Sequence, residues 1–217
     1  MDRSYLIRSS CKPIEQKDSV KLLGILFDQH LTWNEQVNSI IKSSYGTLRA
    51  LRKFGRFTPL RVRKSLAEAL ILSKLNYGSA VFAQIPKYLT HRLQKVQNIT
   101  AAYVLSRYAT TKDVIDLNWL PINELFEWNT VKLVHKSKFD PNHPAYLKVD
   151  FHTPRRNVRS EKQELFAATG QTKTFQAQAK AFDNLAENIR TIDNYKSFSK
   201  EVKKFYLDQV LTEFLSS

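Results

Sequence analysis

One cysteine, Cys11, in a chain of 217 residues leaves no partner for an intramolecular disulfide and no thiolate set for a zinc site, which suits a reducing compartment. Five Gly and seven Pro are too few for a loop-rich sandwich or a low-complexity polymer. No stretch approaches the roughly 20 apolar residues that span a bilayer, and the opening MDRSYLIRSS lacks the apolar run of a secretory leader. The expectation is therefore an intracellular chain with no membrane partner. Acid is scarce too: 20 Asp plus Glu face 34 Lys plus Arg, for a formal net charge of +14. A field of that sign excludes cationic partners and selects polyanions, namely nucleic acid, an anionic surface or an acidic protein.

Catalytic patterns are missing as well. Two-metal polymerases and nucleases need clustered carboxylates holding cations about 4 Å apart. This chain has no adjacent Asp pair and no Asp-x-Asp, and Asp28 and Glu35 read as a turn and a helix cap. His30, His91, His135, His143 and His152 lie far apart without metal-ligand spacing, and neither a Gly-rich phosphate loop nor a GxSxG elbow occurs. No catalytic residue, metal or cofactor is expected.

What is present favours helix. Apolar residues make up 42% of the chain, with thirteen Phe, nine Tyr and three Trp to fill a core. Val20–Phe27 reads as a buried strand, with Tyr5–Ile7 as its antiparallel neighbour. Thr32 to Glu35 matches a capping box, after which Val37, Ile40, Ile41, Ser44, Leu48 and Leu51 recur at helical steps until Gly55. Thr58 and Pro59 start a second helix, whose LAEALILSKL segment is apolar nearly all round and should be central. A third helix covers about 88–107 with Leu89, Val96, Thr100, Tyr103 and Val104 inward. A short one spans 111–117, and a longer one after Pro121 turns Ile122, Leu125, Phe126 and Leu133 to the core. The DPNHP stretch from Asp140 breaks the bundle, and a last helix at about 195–215 buries Phe198, Val202, Phe205 and Val210. The fold class is mainly α: a helical bundle over 32–147 with a short N-terminal β-hairpin within 1–31, an irregular basic arm at 148–181, and a C-terminal helical segment at 182–217.

The basic segment carries the functional signal. Lys42, Arg49, Arg52, Lys53, Arg56, Arg61, Arg63 and Lys64 fall between positions 42 and 64 with no Asp or Glu among them. The members up to Arg56 return to the side of the first helix opposite its apolar stripe. Like charges at neighbouring helical positions cost roughly 0.2–0.5 kcal/mol per pair unless something neutralises them, and a phosphate backbone does. Arg155, Arg156 and Arg159 form a second cluster, suited to a flexible arm on nucleic acid or to a solubilising linker.

The order of motifs resembles a known family. DSVKLLGILFDQHLTWNEQVNSIIKSS, Asp18 to Ser44, is similar to the stretch after the polymerase palm in non-LTR (LINE-type, jockey-like) retrotransposon reverse transcriptases. There a strand of the form V-x-Y-L-G-V-x-x-D leads to L-x-W and a helix. The matching positions are Val20, Leu22, Leu23, Gly24, Ile25, Asp28, Leu31 and Trp33, with Leu22 where Tyr or Phe is usual. The likeness continues in order through LNYGSAVF (Leu75 to Phe82), LQKVQNITAAYVL (Leu93 to Leu105), NWLPINEL (Asn118 to Leu125), RRNVRS (Arg155 to Ser160) and the segment Phe182 to Leu207.

The resemblance implies a primer-grip-like turn at Leu23 and Gly24, followed by a thumb-like bundle whose first helix runs along a template–primer. The family's metal-binding aspartates lie upstream of the grip strand, and no position here matches its Tyr/Phe-x-Asp-Asp motif. The implied role is therefore non-catalytic binding of an RNA/DNA duplex, with self-association through the surface that would face a palm. Two other readings stay open: a helical interaction module for an acidic protein, and a thumb supplied in trans to a separate palm.

Overall fold

Leu22 pairs with Ile25 and Ser19 with Asp28, so the apolar run Val20–Phe27 is not one strand but a hairpin of β3 (Ser19–Leu22) and β4 (Ile25–Asp28). The reversal is a two-residue turn, Leu23 and Gly24, both at positive φ (48° and 87°), the type I′ geometry that matches strand twist. A periodicity argument misses it because Leu is an unusual occupant of that turn. The structure, a computed structural model, describes residues 8–9, 12–13, 17–81, 84–142, 151–152, 165–166 and 180–216. Tyr5–Ile7 and most of the basic arm, including Arg155, Arg156 and Arg159, lie outside them. Two shorter antiparallel pairs, β1 (Arg8–Ser9) with β2 (Lys12–Pro13) and β5 (Phe151–His152) with β6 (Leu165–Phe166), complete the described strands.

The remainder is helical: α1 (Asn34–Phe54), α2 (Leu60–Ala67), α3 (Ser73–Asn76), α4 (Lys87–Leu105), α5 (Thr111–Asp116), α6 (Ile122–Phe139), a short turn Glu187–Arg190 and a C-terminal helix Tyr195–Ser216. α1 starts where expected but without the capping box. Trp33 sits at φ 64° with no side-chain cap, and Asp28 instead accepts the amides of His30, Thr32 and Trp33. A capping box does form at α5, between Thr110 and Asp113. Between α2 and α3 the helix widens into a π-turn, Glu68–Leu72, where the Ser73 hydroxyl bonds back to the Ala69 carbonyl. Leu70 is exposed there, so this segment is not apolar-buried all round. Leu133, expected inward, is also exposed, because α6 buries the row Phe126, Thr130, Val134 beside it.

α1 and α4 lie side by side and run the same way. At their starts Tyr88 O–H donates to Asn34 (2.8 Å) and Arg92 to Asn38 (2.7 Å), and at their ends Gly55 meets the Tyr103 ring, 3.3 Å from where a Cβ would stand. A side chain at 55 would crowd that ring, which would have to give by a few tenths of an ångström. α2 and α3 make the return path. The core falls into three clusters: Leu48, Ile71, Val96 and Val104 with α5; Val37, Leu75, Leu89 and Phe126 near the hairpin end; and Leu120, Val131, Phe182, Phe198 and Val202, which seat the C-terminal helix on α6. Among the described residues no helix is long and apolar enough to cross a membrane.

Candidate nucleic-acid interface

At about 100° per residue, Lys42, Arg49 and Lys53 project from α1 within an arc of about 40°. They form a crest opposite the buried Val37, Ile40, Ser44 and Leu48. All three are exposed, and the crest runs eleven helical steps from Lys42 to Lys53, about 16 Å, the axial length of roughly five base pairs. Among the described residues no carboxylate comes within 4 Å of a crest cation; the ion pairs there are Lys64 with Glu68 and Arg107 with Asp113. Gly46 lies on the same face with nothing within 4 Å of where a Cβ would stand, so the surface there is open to close approach.

Two cations absent from the sequence argument flank the crest. Arg92 reaches Asn38 from α4, and Lys74 from α3 donates to Ser43 Oγ (2.8 Å) and Thr47 Oγ1 (2.7 Å). Neither has a carboxylate partner among the described residues. The basic spacing of α1 could not reveal them, since the packing of α3 and α4 decides which of their side chains border α1.

The remaining expected residues divide. Arg52 is exposed on the α4 side of the crest, and Arg61 is exposed on α2. Arg63 turns away from the crest to donate to the Tyr103 carbonyl (3.4 Å) and Ser106 Oγ. Lys64 pairs with Glu68 at 3.9 Å and lines a different cleft with Trp119 and Lys203, because one helical step separates its direction from that of Arg63. The Arg56 side chain lies outside the described residues.

The hairpin tip is held from a distance in sequence. Tyr77 O–H donates to the Leu23 carbonyl (2.6 Å), and its ring lies 3.6 Å from where a Gly24 Cβ would stand. Leu22 and Leu23 point their apolar surface outward, Leu23 at 83% exposure. The hairpin is fixed to α1 by the Leu26 amide on Gln36 Oε1 (2.9 Å) and by Phe27 edge-on to Trp33. Amide donors, Thr32 first, hold the Asp28 carboxyl below its usual range. Asp113 is lowered to about 2 by the Thr110 amide and then by Arg107.

Searches of family models, of curated proteins and of solved structures return no significant match to this chain.

Proposed function

We propose that this protein is a non-catalytic nucleic-acid-binding module of retrotransposon reverse-transcriptase descent, which lies along the phosphate backbone of a template–primer duplex with the crest of α1. The observation that carries the reading is the row Lys42, Arg49, Lys53: exposed, aligned, and without a carboxylate in reach among the described residues. A net charge of +14 supplies long-range attraction, and Arg92 and Lys74 broaden the track. On this reading the exposed Val20, Leu22 and Leu23 belong to the surface that meets a polymerase palm or a second copy.

The test is a salt titration of binding to an RNA/DNA duplex by the wild type and by the variant Lys42→Glu, Arg49→Glu, Lys53→Glu. Three lost phosphate contacts make the slope of log K against log salt shallower by about 3. Equal affinity and equal slope in the two proteins would sink the proposal.

A further inference from the structure

Beside the C-terminal end of α1 the surface folds inward. Arg52, Gly55, Arg63, Tyr103, Arg107 and Tyr108 line a cleft of about 560 Å³ between the ends of α1 and α4. Ser106, at φ 56°, turns the chain out of α4 and sets Arg107 and Tyr108 on the rim. Tyr108 is 84% exposed, a large ring with no burial to account for its place.

Charge in the cleft is incompletely matched. Arg107 is taken up by Asp113 and by the Tyr108 carbonyl (2.9 Å). Arg63 is half-buried and bonds only to neutral acceptors; its Nε is buried with no partner, and no carboxylate neutralises it among the described residues. Arg52 is likewise without a carboxylate. The ends of α1 and α4 each contribute about half a negative charge. Together they offset one of the two uncompensated guanidinium groups and leave the other. A partly desolvated cation without a counter-ion is costly, and an anion entering the cleft removes that cost.

We infer that this cleft takes one unpaired nucleotide of a bound strand, its phosphate against Arg52 and Arg63 and its base on the Tyr108 ring. Planar guanidinium forks suit phosphate oxygens, and an exposed aromatic accepts any base face. The inference rests on the proposed duplex binding and adds to it a preference for duplexes with a single-stranded tail. The cleft opens on the α4 side of α1, where Arg52 points about 100° round the helix from Lys53, so a strand leaving the duplex at the crest turns round that side to reach it.

The experiment compares two probes, a blunt RNA/DNA duplex and the same duplex with a three-nucleotide single-stranded tail, and reads the ratio of their dissociation constants. The wild type binds the tailed probe about 5-fold to 100-fold more tightly. Tyr108→Ala brings the ratio to one, Tyr108→Phe keeps it, and Arg49→Glu weakens both probes while leaving the ratio in place. A wild-type ratio of one with blunt binding retained overturns the cleft and spares the crest. A ratio unmoved by Tyr108→Ala does the same. Tight binding of the tailed probe without blunt binding supports the cleft and overturns the crest, and failure of both probes to bind overturns both.

Discussion

Leu23 occupies a backbone conformation that L-residues with a Cβ adopt at a cost of about 1–2 kcal/mol, and it does so with its side chain 83% exposed. Burial returns nothing at that position, so the turn is maintained by its surroundings: the Tyr77 hydroxyl on its carbonyl and the cross-strand pairs of β3 and β4. Leu23→Asn places a residue tolerant of this geometry ahead of Gly24 and retains the carbonyl bond. The amides of the hairpin should then exchange with solvent roughly 5-fold more slowly, as a local gain of about 1 kcal/mol requires. Unchanged or faster exchange at Leu22 and Ile25 would show that the turn carries no strain. The same position explains a misreading, since the pattern Val20 to Phe27 contains none of the Asn-Gly or Asp-Gly signals by which a tight reversal announces itself.

At the scale of the element, α1 contains Gly46 in a helical interior with free space around it. Gly46→Ala should raise the free energy of unfolding by about 0.5–1 kcal/mol, measured by urea denaturation, because the unfolded chain loses freedom and the folded one gains no clash. A destabilised variant would mean that the open space is filled by something that the helix itself does not show. The helices were legible because amphipathic spacing is local: α1, α4 and the C-terminal helix begin and end within about two residues of where apolar periodicity puts them. Features set by a single partner outside the periodic pattern were not. Asp28, six residues before α1, displaced the expected Thr32 cap by reaching three amides at once. The candidate site divides in the same way. The crest of α1 could be drawn on a helical wheel, whereas the directions of Arg63 and Lys64 and the arrival of Arg92 depend on how neighbouring helices are placed.

Across the whole molecule, the C-terminal helix is joined to the bundle by polar contacts as well as apolar ones. Trp128 Nε1 donates to the Ser199 carbonyl (2.9 Å), Lys203 to the Asn118 carbonyl (2.8 Å), and the buried His135 bonds through Nε2 to the Ile192 carbonyl (2.7 Å) while stacking on Phe198. Burial lowers the His135 pKa below 6.5 against the opposing influence of the Ile192 carbonyl and Asp193, with Lys138 adding to the lowering. The unfolded chain then binds a proton that the folded one resists. The stability due to neutral His135 is complete above about pH 6.5 and is lost as pH falls below it. Thermal midpoints between pH 7.5 and 5 should decline in the wild type and decline less in His135→Gln, which is neutral throughout; identical profiles would remove His135 as the cause. The parallel course of α1 and α4 has a different bearing. Tyr88 and Arg92 reach partners 54 positions earlier in the chain, so the cleft exists only once α4 and the residues after it are in place. The crest needs nothing beyond α1. On the proposed function, contact with a phosphate backbone is thus the property of one helix, while the preference for an unpaired tail belongs to the assembled bundle.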